Sequence, residues 1–349
     1  MKIFISIASY QDSFLANTIL SAYEAAKYKD ALVFGVLDQS DAVLAELPFA
    51  SQIRYMHLNP LHARGPSWAR SVIQSFVSDE DYFLQIDSHT LFRRGWDEFL
   101  IGYWERLKEY HAKPIISNYP RGFRPKEDES GKLSFELERP NFSGVYPMRV
   151  KSEHEFKEES CFAQHCLPHD RAVPEHGYLL GAGFIFCSTE WVHEVPYDRF
   201  LYFHGEEQAM MLRSFTRGYS VFHVPDVPIF HKYNDEENKD DRPLHWDEAE
   251  DSKRDRPWYF FKNAAVKRFE AMMAGSLPSH FSLGSERSLA DYRLISGICF
   301  ESRMVVDKQK AYHGALAETF DWKMTLDEAI AAHEESEAVQ QQEVEAAGV

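Results

Sequence analysis

The sequence predicts an α/β fold with a mostly parallel central sheet and helices on both faces. Three observations lead there. Strand-like and helix-like segments alternate over the first 120 residues; the composition is that of a folded globule; and a charged triplet, Asp87-Ser88-His89, ends an apolar run at the point where such sheets place their ligands.

The elements follow in order. Lys2–Ala8 is a β-branched and aromatic run, and Leu15–Lys27 carries Leu15, Ile19, Ala22, Tyr23 and Ala26 at helical spacing. Ala31–Leu37 and Ile53–Leu58 read as further strands. A helix from about Pro66 to Phe76 precedes the strand Tyr82–Ile86, and a helix near Trp96–Tyr110 precedes the strand Pro114–Asn118. From Pro120 to about His176 the periodicity dissolves, which predicts a functional lid, a binding loop or a disordered insert. Order returns at Tyr178–Cys187, a strand whose Gly181 and Gly183 allow close approach. A helix around Glu206–Arg217 and a strand–turn–strand through Val221–His231 complete the core. Asn234–Arg256, with ten acidic and five basic residues, reads as a solvated connection, and Trp258–Met273 as a helix. The stretch beyond Trp322 lacks aromatic residues and reads as a surface helix or a fraying tail, with an oligomerising helix as the secondary reading.

Bulk properties narrow the function. A chain of 349 residues with 44% hydrophobic and 14% aromatic content has enough apolar material for a full core. Its net charge of −17 argues against a nonspecific grip on nucleic-acid backbone, which needs Lys and Arg. An anionic substrate would therefore require a metal or a few placed arginines. Four cysteines in so long a chain suggest a reducing compartment. No stretch approaches a membrane span, and a soluble, cytoplasmic protein is the default expectation.

The chemistry centres on Asp87 and His89, at i and i+2 where a strand gives way to a loop. Strand alternation points both side chains to one side, where they can grip one divalent cation. Carboxylate plus imidazole suits manganese, or magnesium with less imidazole preference, and a third ligand is offered by His231 after a predicted strand. An ordinary surface or core histidine is the competing reading of His231, one of 16 in the chain. His62–Arg70 contains Gly65-Pro66 at a helix start with Arg64 and Arg70 nearby, suited to a phosphate or to a capped helix whose arginines face water. His204-Gly205-Glu206-Glu207 offers carboxylates to substrate hydroxyls, as acceptors or as a base, or merely acidic residues in a first helical turn. Cys161, His165, Cys166 and His169, with His154 and His176 nearby, hint at a structural zinc or a mobile His-rich loop. Motifs for a P-loop, a hydrolytic serine or a Gly-x-Gly-x-x-Gly turn are missing.

Taken in order, Ile3–Asp12, Phe34–Gln39, Ala63–Arg70, Tyr82–His89, Gly181–Phe186, Glu194–Asp198 and Gly205–Glu207 resemble glycosyltransferase family 60. That group includes the cytoplasmic N-acetylglucosaminyltransferase acting on hydroxyproline of Skp1. The likeness runs from residue 3 to about 233 and weakens to 283–288 and 296–297. It implies a GT-A-type fold: a single nucleotide-binding, Rossmann-like domain (1–233, with the insert 120–176), a partly helical extension (234–310) and an acidic tail (311–349). The polypeptide N-acetylgalactosaminyltransferases look similar, with an Asp-x-His motif, a later His and a Gly-Gly-Glu segment. The resemblance implies Mn2+ (or Mg2+) on Asp87, His89 and His231, and a UDP-sugar donor whose nucleotide lies by Ser9, Tyr10, Asp12, Asp38, Arg64, Arg70 and Asp87. Glu206 and Glu207 would lie by the donor sugar and the acceptor. The activity implied is retaining transfer of a sugar, N-acetylglucosamine first among candidates, to a hydroxyl on a protein, a glycan or a modified DNA base. A nucleotidyltransferase or nucleotide-sugar hydrolase on the same fold, and a non-catalytic saccharide-binding scaffold, are the alternatives.

Overall fold

The computed structural model describes residues 1–127, 133–152, 156, 162–203, 205–234, 243–314 and 320–334. The first half contains β1 (Ile3–Tyr10), α1 (Leu15–Ala25), β2 (Leu32–Gln39), β3 (Ile53–Leu58), α2 (Pro66–Gln74), β4 (Tyr82–Asp87), β5 (Thr90–Phe92), α3 (Trp96–Lys108) and β6 (Pro114–Ile116). There follow β7 (Arg121–Glu127), β8 (Leu133–Leu137), β9 (Met148–Val150), β10 (Gln164–Cys166), β11 (Glu175–Gly177), β12 (Phe184–Ser188) and α4 (Glu190–Glu194). Then come α5 (Glu206–Phe215), β13 (Ser220–His223), β14 (Ile229–His231), α6 (Glu248–Asp251), α7 (Trp258–Met273) and α8 (Leu289–Ser296).

The predicted α/β class is observed. Eight strands form one sheet in the order β11-β13-β6-β12-β4-β1-β2-β3. The pairs β1–β2, β2–β3, β1–β4 and β6–β13 are parallel, while β12 runs antiparallel to both its neighbours. Both faces are covered, because alternate residues enter different cores. Ile3, Ile5 and Ile7 face α1 and α3, in a cluster with Ile19, Trp96 and Leu100. Phe4 and Phe83 face the other way, in a cluster with Ile73 of α2, Leu212 of α5, Phe269 of α7 and Ile295 of α8.

Strand order also fixes where a ligand can enter. Chain progression runs outward from β1 to β2 and β3, then returns to β4 on the other side of β1. The connections after β1 and before β4 leave by opposite faces, α1 on one and α2 on the other. This divergence opens a crevice at the carboxyl ends of β1 and β4, the switch point of a doubly wound sheet. Residues 9–12 and 87–89 end there.

Several expectations change. Residues 120–176 are not a structureless insert: β7 and β8 pair antiparallel, β7 runs parallel to β14, β9 pairs with β10, and β11 joins the main sheet. These strands are mostly three to seven residues long, too short to show a period. The expected strand Tyr178–Cys187 is a strand only from Phe184, since Tyr178–Ala182 is a buried approach segment. The strand–turn–strand of Val221–His231 divides between sheets, β13 in the large one and β14 in the sheet β5-β14-β7-β8. The described part of Asn234–Arg256 is no solvated connection, because His245 and Glu250 are buried and Gln11 donates to Glu250 Oε2 at 2.6 Å. The end of the tail, 335–349, lies outside the described residues.

Gly35 on β2 allows Phe4 and α2 to pack tightly: a Cβ there would fall 2.1 Å from Phe4 Cζ and 3.0 Å from Ile73 Cγ2. Gly35→Ala therefore lowers unfolding stability by about 1–3 kcal/mol, read from the urea midpoint at unchanged m-value. An unshifted midpoint would mean that the Phe4 ring has room to yield.

Candidate metal and donor site

β4 stops at Asp87, and a two-residue turn, Ser88-His89, leads straight into β5. The orientation of His89 is therefore set by this turn and not by continued strand alternation. β5 pairs antiparallel with β14, placing His231 opposite Thr90, and Lys232 N–H donates to His89 C=O at 3.0 Å. The ladder brings together side chains 144 residues apart: His231 Nε2 lies 3.1 Å from Asp87 Oδ2. The His89 and His231 rings meet edge to face with centroids 4.6 Å apart. One ligand atom from each of Asp87, His89 and His231 lies within 4.8 Å of the others; among the described residues this is the one such group of three. Gly183 makes room for it, since a Cβ there would sit 2.9 Å from Asp87 Oδ2.

Neighbouring groups fix each member. Asp12 Oδ2 lies 2.7 Å from His89 Nδ1 and accepts from Ser88 Oγ at 2.6 Å, while Asp12 Oδ1 accepts from Phe14 N–H at 2.9 Å. A carboxylate on Nδ1 favours the proton there and the lone pair on Nε2, the nitrogen a metal needs. Arg70, buried on α2, donates one arm of its guanidinium to Asp87 Oδ1 at 2.8 Å and the other to Glu206 Oε1. Burial works to raise the Asp87 pKa, but the His231 hydrogen bond and the Arg70 charge outweigh it and hold the carboxyl well below its usual range. Two imidazoles converging on a carboxylate kept ionised form a donor set that suits a divalent cation of the manganese or magnesium type.

The paired glutamates differ. Gly205, in the left-handed region at φ 81°, turns the chain into α5 so that both begin the helix. Burial raises the Glu206 pKa, opposed by Arg70. Glu207 accepts from Ala182 N–H at 2.8 Å and from the Gln164 amide, neutral donors only, and burial pushes it up to about 7.

The remaining predicted residues scatter around this centre. Ser9 is buried at the end of β1 beside Asp38 of β2, and its Oγ has no hydrogen-bond partner among the described residues. Asp38 accepts from Tyr55 Oη at 2.7 Å. Tyr10 Oη takes a hydrogen bond from Arg254 and lies 3.3 Å from Glu250 Oε2, so the 243–256 segment lies against the end of β1. Asp12 contacts His89, and Arg64 lines a cavity beside α2, its guanidinium over Trp68 at 5.6 Å. Sequence reasoning missed Thr18, whose Oγ1 donates to Ser88 C=O at 2.7 Å, and His245, packed between Tyr10 and Tyr202. A zinc site over 161–176 does not assemble among the described residues: His176 packs against His111, with its Nε2 2.8 Å from Met324 C=O. Cys161, His154 and His204 lie outside the described residues.

Residues 39–302 match a family described as Glycosyltransferase (GlcNAc). No curated protein matches the chain. Among solved structures, GalNAc-T7 with UDP, GalNAc and Mn2+ aligns at TM-score 0.49 and 14% identity, over 84% of this chain and 54% of that one. TarS from S. aureus aligns at TM-score 0.43 and 12% identity, over 96% of this chain and 55% of that one. The chain thus spans about half the length of these structures. No helix among the described residues is long and apolar enough to cross a membrane.

Glu207 yields a pH signature. Its folded-state pKa is raised from 4.5 to about 7, so the folded protein keeps a proton that the unfolded chain releases. The resulting stability is whole below pH 4.5, declines as the pH climbs and is gone above about 7. In metal-free buffer, Glu207→Gln should gain on wild type by roughly 3 kcal/mol between pH 4 and 8, measured by urea unfolding at each pH. Parallel curves for the two proteins would refute the assignment.

Proposed function

The chain belongs to the GlcNAc glycosyltransferase family, and from that premise we propose that it is a metal-dependent transferase moving a sugar from a nucleotide donor to an acceptor hydroxyl. The observation that carries this reading is the convergence of Asp87, His89 and His231 at the switch point of the sheet. In finer detail we place it with family 60 and its Skp1-type members, with UDP-N-acetylglucosamine as donor, retention of configuration, and residues 1–233 as the catalytic unit in a cytoplasmic protein. The ordered segments between residues 3 and 233 support that placement. A protein, a glycan or a modified base remains the class of acceptor.

Asp87, His89 and His231 would hold Mn2+ or Mg2+. When bound, the cation would supply positive charge to offset the negative charge growing on the departing diphosphate. The chain's own residues do the rest. Asp12 keeps the lone pair of His89 on Nε2, and Arg70 with Glu206 holds the Asp87 carboxylate in one orientation. Ser9 and Tyr10 at the end of β1, with Asp38 at the end of β2, present hydroxyl and carboxylate groups where the nucleoside would lie. Glu207, with a pKa near neutrality, is the carboxyl able to hold or release a proton at its Oε atoms as the acceptor hydroxyl reacts.

Asp87→Ala and His89→Ala should each abolish metal-dependent UDP release from UDP-N-acetylglucosamine; near-normal turnover in both overturns the reading. Asp12→Asn, which keeps the shape but loses the charge on Nδ1, should weaken Mn2+ binding about 10–100-fold while leaving the fold intact, as followed by titration with Mn2+ and by circular dichroism.

A further inference from the structure

A cavity of about 520 Å³ lies away from the metal centre, bounded by the turn before α2, the turn at 199–201, the turn at 254–256 and the start of α7. None of Ser9, Asp38, Asp87, His89 and His231 lines it. Trp68 faces it from α2, while Arg70, two residues on and about 200° around the helix, turns to Asp87. The metal ligands and the cavity thus lie on different sides of α2, while Arg254 of the cavity wall donates to Tyr10 Oη at the end of β1.

Its charge is opposite to that of the whole. Arg64, Arg199, Arg254 and Arg256 line it against one acid, Asp255, in a chain of net charge −17. Arg64, Arg199 and Arg256 make no ion pair among the described residues, so their positive charge is not cancelled locally. The Arg254 side chain is only 2% exposed, and its buried Nε has no hydrogen-bond partner among the described residues.

The other half of the lining is aromatic. Trp68, Phe200, Phe260 and Phe261 face the space, with Phe200 58% and Phe260 48% exposed. Two guanidinium groups already lie over rings, Arg64 over Trp68 at 5.6 Å and Arg256 over Phe260 at 5.1 Å. A ring beneath a guanidinium helps hold its planar fork in place for two-pronged contact with carboxylate or phosphate. Flat rings beside fixed forks suit a pyranose, whose C–H face packs on an aromatic ring while its acidic substituent takes the guanidinium. A peptide fits less well, because the lining turns and helices offer no strand edge for its backbone to extend.

We propose that this cavity is a binding site for an anionic saccharide, a sugar bearing carboxylate or phosphate, distinct from the cluster of Asp87, His89 and His231. It stands independently of the transferase reading; within that reading it would hold a charged stretch of acceptor beyond the reacting hydroxyl.

Calorimetric titration of the full chain in metal-free, low-salt buffer tests this with four probes: tetragalacturonic acid, its methyl-esterified counterpart, tetraglutamate and inorganic phosphate. The acidic tetrasaccharide should bind at least tenfold tighter than each of the others and weaken as salt rises. Arg199→Glu and Arg256→Glu, both on exposed side chains, should each reduce that binding at least tenfold at unchanged melting temperature. Tetraglutamate binding as well as the saccharide, no preference over phosphate or the ester, or saccharide binding that survives both charge reversals overturns the proposal. Mn2+-dependent UDP binding, measured in the same samples, reports the donor centre separately: its loss with saccharide binding intact sinks the transferase reading and leaves this one standing.

Discussion

One guanidinium ties the site together. Arg70 reaches Asp87 with one arm and Glu206 with the other, linking α2, β4 and α5 through a single buried cation. Its own charge is stabilised there although burial opposes it, because Glu206, Tyr197 and Asp87 surround it. Removing one partner of such a pair leaves an uncompensated buried charge, typically a loss of about 3–5 kcal/mol. The interaction therefore constrains more than a ligand. It sets the rotation of α2 about its axis, the start of α5 and the side of the strand end on which the Asp87 carboxylate lies.

The same cation decides how the acids divide. Arg70 serves Asp87 and Glu206 at once, and Asp87 gains a further hydrogen bond from His231. Glu207 stands one residue beyond that reach and meets only the Ala182 N–H and the Gln164 amide. Its environment is as dry, and Arg70 acts on it only from a distance, so its proton is held to near neutral pH while Asp87 stays ionised. Burial thus pushes both adjacent glutamates up, and Arg70 opposes it more directly at Glu206, which it pairs with, than at Glu207.

Much of this was readable in the chain, and the unread part has a physical pattern. The main strands and helices through α3 announce themselves by apolar runs and helical spacing, and Asp87, His89 and His231 by standing at strand ends. Their meeting depends on β5 and β14, three residues each, below the length at which a period shows. Asp12 was legible as a loop residue near the crevice but not in its direction, which the Ser88 hydroxyl and the His89 ring decide. Arg64 and Arg70 look alike in sequence. The signal separating them lies in α2, where Ser67, Arg70, Ile73 and Gln74 form one buried stripe at i, i+3, i+6 and i+7 that leaves Arg64 outside. Reading Arg70 as part of a core face, not as a surface cation, would have placed it beneath Asp87.

The overall acidity of the chain then becomes a constraint on where anions are handled. A net charge of −17 repels an anionic substrate over most of the surface, so attraction must come from local positive potential in concave places. Two places answer that requirement by different means. At the strand ends the chain gathers Asp87, His89 and His231, which would import positive charge with a cation, and holds Arg70 buried beneath them. Across α2 it does the reverse, leaving arginines uncancelled on aromatic rings. A field built from fixed guanidinium groups persists without a cofactor, whereas one built on Asp87, His89 and His231 exists only when the cation is present. The two sites should accordingly respond separately to chelation, although one helix forms a wall of each.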